Sequence, residues 1–134
     1  GTFENIKETA DFRKHKMHSE EYEITEYAAN TINDCKKNGG RIICIGTTST
    51  RVIESVANED GFVKAGKGLT DIFIYPGIKF KATDALLTNF HWPKSSLILL
   101  VAAFYGRENT LNAYKFAVEN LMKLFSYGDG MFII

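Results

Sequence analysis

Polar and apolar positions alternate from His18 to Ile24, with Tyr22 and Ile24 on one face and Glu21 and Glu23 on the other, the two-residue period of a half-buried strand. Thr25 then stands as a helix N-cap. Ala28, Ala29, Ile32 and Cys35 recur at helical spacing, Lys36 and Lys37 occupy the negatively polarised last turn, and Gly39-Gly40 supplies a left-handed stop. Arg41 to Ile45 is a short apolar run between glycines, which predicts an interior strand of a parallel sheet, covered on both faces. A hydroxyl-rich turn, Gly46 to Thr50, follows, and Val52, Ile53 and Val56 resume a helical pattern from Arg51 to Ala57.

Asn58 to Gly68 combines charge with glycine and is expected to be an exposed, mobile loop. Asp71 to Tyr75 predicts a second buried strand, stopped by Pro76-Gly77, whereas Asp84 to Pro93 is too mixed in period to assign. Ser95 or Ser96 caps an apolar helix running to about Phe104. Leu111, Tyr114, Val118, Leu121 and Phe125 form one stripe of a last helix, with Lys115, Glu119 and Lys123 opposite, before a glycine turn leads into a terminal strand. The alternation of strands and helices predicts an α/β fold, with a mostly parallel or mixed sheet flanked by helices.

At 134 residues and 45% hydrophobic content, the chain is about the size of one domain. Sixteen basic and sixteen acidic residues cancel, so any contact with nucleic acid must be local. Cys35 and Cys44 have neither CxxC nor zinc-ligand spacing and read as reduced, buried thiols. The greasy stretch Leu97 to Phe104 is far shorter than the roughly 20 residues of a membrane span, so a cytoplasmic protein with no membrane partner is expected.

Chemistry concentrates in a few places. The turn Gly46 to Arg51 follows a buried strand and opens a helix, where backbone N–H groups and the helix dipole favour an anion or polar ligand; helix capping alone also explains its hydroxyls. Gly66-Lys67-Gly68-Leu69-Thr70 precedes its strand, the wrong order for a phosphate loop. His15 and His18 are spaced i, i+3, but with only His91 besides and no clustered thiolates, no metal site is expected. His18-Ser19-Glu20 sets imidazole, hydroxyl and carboxylate in succession, able to serve as acid, donor and base. Between Tyr75 and Ser96, Asp84, Thr88, Asn89, His91 and Lys94 stand among large apolar residues, a polar density that turn and cap chemistry also explains in part. Lys79, Lys81 and Lys94 beside Phe80, Phe90 and Trp92 form a basic and aromatic mixture suited to phosphates and bases. Tyr127-Gly128-Asp129-Gly130 reads as a tight turn or as a turn that exposes Asp129 to a ligand.

Gly1-Thr2-Phe3, Met17-His18-Ser19-Glu20, Gly46-Thr47-Thr48-Ser49, Thr70 to Gly77, Asp84 to His91, Pro93-Lys94-Ser95 and Phe125 to Asp129, in this order, resemble the S-adenosylmethionine:tRNA ribosyltransferase-isomerase family of queuosine biosynthesis over nearly the whole chain. The resemblance implies transfer and isomerisation of the ribosyl group of S-adenosylmethionine onto 7-aminomethyl-7-deazaguanine in tRNA. The product that the resemblance implies is epoxyqueuosine-tRNA, with adenine and methionine released. It implies no cofactor beyond S-adenosylmethionine as cosubstrate, tRNA as partner and a monomeric full enzyme.

The family carries a longer N-terminal portion with an inserted β-rich domain. Residues 1–134 are accordingly expected to be the C-terminal α/β part of a catalytic domain, an incomplete part of a larger multidomain enzyme. Glu4-Asn5 stands where the family has Arg-Pro, and Trp92 stands where it has Leu. A sulfonium centre acidifies its neighbouring C–H bond and makes methionine a good leaving group, so a base and an acid suffice. His18, Glu20, Asp84, His91 and Asp129 are the catalytic candidates: His18 or Glu20 to take a proton, Asp84 or Asp129 to assist adenine departure. Thr47, Thr48 and Ser49 are expected to hold the cosubstrate, with Ser19, Arg51, Tyr75, Thr88, Asn89, Lys94 and Tyr127 as further binding residues. The competing expectation is a non-catalytic module that binds S-adenosylmethionine or tRNA.

Overall fold

The structure is a computed structural model, and it describes residues 16–124 and 128–134. Expectations resting on residues 1–15 or on Phe125, Ser126 and Tyr127 lie outside the described residues. In chain order the elements are β1 (Glu20–Ile24), α1 (Glu26–Lys37), β2 (Ile43–Ile45), α2 (Thr47–Val56), β3 (Gly66–Thr70), β4 (Ala85–Asn89), α3 (Ser96–Tyr105), α4 (Arg107–Glu119) and β5 (Gly130–Ile133). The expected α/β class holds, with a mixed three-stranded sheet in the order β2-β4-β5 and a separate antiparallel ribbon of β1 and β3. β2 and β4 run parallel, whereas β5 returns antiparallel to β4.

The early elements form as their residues dictate. Thr25 accepts a hydrogen bond from the Ala28 N–H at 3.1 Å, capping α1, and Lys36 and Lys37 close its last turn. Gly46, at φ 88°, ends β2 in a conformation that side chains resist and turns the chain directly into α2. The hydroxyl residues Thr47 to Thr50 are therefore helical, not a turn preceding the helix.

Three expectations about burial are corrected. β2 is covered on one face only, since Cys44 is buried while Ile43 and Ile45 are exposed. Asp71 to Tyr75 pairs with no strand among the described residues, although Ile74 is buried in the core; the strand parallel to β2 is Ala85–Asn89, in which Leu86 and Thr88 are buried on one face while the other face is buried at Ala85 and exposed at Leu87 and Asn89. On α4, Leu111 and Val118 of the apolar stripe are exposed, and the buried positions are Thr110 and Ala117. Tyr114 of the stripe is half-buried against Phe90, so periodicity marked an apolar face of which only part packs.

The segment after α2 is not a loose loop. Asn33 donates to the Val63 carbonyl at 2.8 Å and accepts from the Val63 N–H at 2.9 Å, and Val63 is buried. Gly61 has φ 82°, and a Cβ there would lie 2.3 Å from the Lys81 carbonyl, so both conformation and space demand glycine. Gly66 to Thr70 is itself a strand, pairing Tyr22 with Gly68.

One core joins Ile42, Cys44, Leu86 and Ile133 of the sheet region to Leu100 and Val101 of α3, with Ile74 completing it. Beside it, the buried face of α2 is polar: Thr50, Arg51 and Glu54. The Glu54 carboxylate accepts from the N–H groups of Lys81, Ala82 and Thr83 at 2.7, 3.0 and 2.8 Å and from the Thr83 hydroxyl at 2.8 Å. It thereby satisfies the chain just before β4.

Replacing Glu54 by Ala strands those buried donors and is expected to cost on the order of 3 kcal/mol. Glu54→Gln, which keeps an acceptor oxygen, should cost less. Urea unfolding midpoints at constant slope check both values, and an unchanged midpoint for Glu54→Ala would show that the segment is held by other contacts.

Candidate active site

The parallel strands β2 and β4 end at the same edge, and the N-terminus of α2 begins there. A cleft of about 470 Å³ opens at this edge, lined by Ile45, Gly46, Thr47, Thr48, Leu87, Thr88, Asn89 and His91. The position follows from topology. In an open α/β sheet the crevice lies beyond the carboxyl ends of the parallel strands, and the first turn of a helix offers N–H groups to it.

Arg51 ties the neighbouring ribbon to this helix. Its guanidinium is buried and donates to Glu20 at 2.5 Å, to the His18 carbonyl at 2.9 Å and to the Ile72 carbonyl at 3.1 Å. Burial pushes Arg51 below its usual pKa, while Glu20 and Asp71 pull it back up. The second Glu20 oxygen accepts from the Thr48 hydroxyl at 3.3 Å. Both carboxylate oxygens of Glu20 are thus engaged, and the arrangement fixes the His18-Ser19-Glu20 run beside the helix terminus that opens the cleft.

His91 is buried, its Nε2 3.0 Å from the Thr88 hydroxyl, while its backbone N–H donates to the Tyr114 hydroxyl at 2.7 Å. The Tyr114 ring meets Phe90 edge-on at 5.2 Å. Desolvation lowers the His91 pKa to about 4, leaving a neutral imidazole at pH 7. Burial raises the Tyr114 phenol, partly offset by its bond to the His91 backbone. Asp129 reaches the same edge from the other side. Its carbonyl accepts from Phe90 N–H at 3.4 Å, and its carboxylate accepts from Lys123 N–H at 2.8 Å.

The structure therefore gathers Thr47, Thr48, Thr88, Asn89 and His91 around one cleft, with Glu20, Arg51 and His18 joined to it through Thr48 and Asp129 beside it. Ser19 is exposed on the same run. Ser49 turns back on its helix, donating toward the Ile45 carbonyl at 2.6 Å and the Gly46 carbonyl at 2.9 Å. Asp84 stands at the opposite end of β4, about 15 Å away along the strand, where its carboxylate accepts from the Ile42 N–H at 2.8 Å. The Tyr75 ring meets Phe73 at a 57° tilt with centroids 5.3 Å apart, outside the cleft lining. Lys94 is exposed, at φ 69°, in the turn before α3. Tyr127 lies outside the described residues.

Sequence reasoning passed over Glu54 and Tyr114 as polar contributors. The available signal was the spacing of Arg51 and Glu54, which sets two opposite charges three residues apart on one face of a helix that carries no other charge.

With this geometry established, comparison with known proteins is decisive. The model of a family described as "Queuosine biosynthesis protein" matches residues 1–133. The chain belongs to that family. All 134 residues align at 57% identity with the S-adenosylmethionine:tRNA ribosyltransferase-isomerase of Caldanaerobacter subterraneus subsp. tengcongensis, covering 39% of that relative. The enzyme of the same name from Thermoanaerobacter sp. matches equally, at 57% identity and 39% coverage. Among solved structures, an S-adenosylmethionine tRNA ribosyltransferase from Thermotoga maritima superposes with a TM-score of 0.77 at 38% identity, covering 85% of this chain and 40% of that one. The chain spans about two fifths of the length of these relatives.

The depressed pKa of His91 makes a pH prediction. The unfolded imidazole takes up its proton near 6.5 and the folded one only near 4, so the unfolded state binds the proton first as pH falls. Stability carried by neutral His91 is full above about 6.5 and declines down to about 4, by about 3 kcal/mol in all. The imidazole resonance in an NMR titration should move near pH 4; a midpoint near 6.5 contradicts its burial.

Proposed function

We propose that these residues supply part of the catalytic domain of an S-adenosylmethionine:tRNA ribosyltransferase-isomerase. That enzyme transfers and isomerises the ribosyl group onto 7-aminomethyl-7-deazaguanine in tRNA, with adenine and methionine released. The supporting observation is that Gly46, Thr47 and Thr48 of one sequence block and Leu87, Thr88, Asn89 and His91 of another, distant along the chain, line one cleft at the tips of β2 and β4, with the His18-Ser19-Glu20 run tied beside it through Thr48.

In this reading the first turn of α2, with Thr47 and Thr48, receives the anionic end of S-adenosylmethionine. Thr88, Asn89 and the neutral His91 hydrogen-bond uncharged polar groups of the bound pair. Glu20, with both oxygens engaged, positions Thr48, which leaves proton abstraction to His18. Asp129, at the cleft edge, assists adenine departure. Lys94 and the exposed Trp92 follow His91 directly and offer a cation and an aromatic ring to RNA. The sulfonium already activates both the C–H bond and the leaving group, so the reaction calls for no metal or redox cofactor. Among the described residues no helix is long and apolar enough to cross a membrane. A cytoplasmic, monomeric enzyme is the setting we infer.

Adenine release from S-adenosylmethionine, measured with modified-base tRNA, tests this in a family-length protein that carries these 134 residues in place of the aligned part of the Caldanaerobacter relative. His18→Ala and Asp129→Asn should each lower kcat about 100-fold or more, while Thr48→Val should act mainly on KM. Near-normal turnover in both of the first two variants would refute the roles. Should the 134-residue chain bind S-adenosylmethionine by calorimetry while the family-length protein releases no adenine, a non-catalytic binding module is the better description.

A further inference from the structure

Among the described residues α4 contributes nothing to the lining of the cleft, yet it reaches a residue of that lining through Tyr114. Thr110, Tyr114 and Ala117 follow one another at helical spacing, and Thr110 and Ala117 are buried, so Tyr114 lies on the face of α4 that packs inward. Its ring meets the buried Phe90 edge-on, and its hydroxyl accepts from the His91 N–H at 2.7 Å. That N–H needs an acceptor. The pairing of β4 with β5 ends at Asn89, and the Phe90 N–H reaches the Asp129 carbonyl only at 3.4 Å, so His91 stands beyond the strand and is nevertheless buried. The phenol supplies what the sheet does not. On the side chain of the same residue, Nε2 lies 3.0 Å from the hydroxyl of Thr88, a residue of β4. His91 is therefore held at two points, its backbone from α4 and its ring from β4.

We propose that Tyr114 is a positioning residue for the cleft: through its bond to the His91 backbone it holds the imidazole in the orientation that meets a bound substrate. The backbone bond fixes where the His91 main chain stands, and the Thr88 bond fixes how the ring turns about it. With one ring nitrogen spent on Thr88, the place of the other is set by the main chain, and hence by Tyr114. Loss of the phenol oxygen leaves the N–H of a buried residue without an acceptor, so the chain beyond Asn89 relaxes toward water and carries the imidazole off Thr88. The Tyr114 ring alone does not prevent this, because an edge-on aromatic contact tolerates sliding that a 2.7 Å hydrogen bond does not. The assignment rests on the functional reading of His91 as a group that touches substrate, and it adds to that reading a residue from a helix outside the cleft.

A double-mutant cycle tests it in the family-length protein that carries these 134 residues, with adenine release as the assay. His91→Ala removes the imidazole but keeps the backbone N–H, so Tyr114→Phe breaks the same hydrogen bond in both backgrounds and only the imidazole differs. Alone, each substitution should raise the same KM, of S-adenosylmethionine or of tRNA, about tenfold, with kcat lowered less than about threefold. Together they should raise it no further than His91→Ala does. A purely structural role predicts that the two factors multiply, to about 100-fold; that result, or an unchanged KM in either single variant, overturns the proposal. Amide hydrogen exchange followed by NMR on the 134-residue chain gives a reading that needs no turnover. The His91 N–H should exchange slowly, and in Tyr114→Phe about tenfold faster or more, with the amides of α1 unchanged. Fast exchange in the unsubstituted chain, or an equal rate in the variant, overturns the proposal whatever the assay shows. If the unsubstituted protein releases no adenine, the functional reading fails, and the exchange rates alone decide whether Tyr114 holds His91.

Discussion

A guanidinium removed from water must find partners on every side, and Arg51 finds them on two separate pieces of chain: Glu20 and His18 at the start of the ribbon, and Ile72 beyond its second strand. Without that pairing the burial of Arg51 is prohibitive; with it, β1, α2 and the chain after β3 are bound into one arrangement. The contact between the ribbon and α2 therefore adds a polar, directional tie to the apolar cluster that Tyr22 and Ile24 share with Val52, Ile53 and Val56. Directionality matters because His18, Glu20 and Thr48 must keep register with the cleft.

Glu54 performs the complementary task one turn further along the same helix. Its carboxylate gathers three successive backbone N–H groups before β4, while Asp84 fastens the beginning of that strand to Ile42. β4 is thus anchored at its entrance, and its exit is left to present Thr88, Asn89 and His91. Asp84 stabilises the end of the sheet remote from the cleft, and His91, buried and neutral, belongs to the end that faces it. Two polar groups that sequence alone sets side by side as candidates are separated by the length of a strand.

One side of the sheet is packed under helices, and the other is covered at Ala85 but open at Ile43, Ile45, Leu87 and Phe132. Cys44, Leu86 and Ile133 are packed under helices, whereas Ile45, Leu87 and Phe132, one residue along in each strand, are open. A one-residue step along a strand reverses the side-chain direction, so the same apolar run supplies both a complete core and an uncovered face. The cleft shares this character: it has a helix terminus and two strand tips, and part of its wall is the uncovered apolar face.

Local chemistry was legible in the residues themselves. The two-residue period of β1, the Thr25 cap and the lysines closing α1 each depend on neighbours a few positions away, and the ordered motif blocks identified the family. What only the tertiary structure decided is which of several apolar faces meets a partner. Leu111 and Val118 of α4 follow a regular stripe yet stay exposed, Ile74 is buried without joining a sheet, and Gly66 to Thr70 pairs with β1 despite a composition that suggests a loop. Periodicity reports the shape of an element, but burial, pairing and the convergence of Thr48, His91 and Asp129 on one edge depend on contacts between residues far apart in the chain, which no local pattern contains.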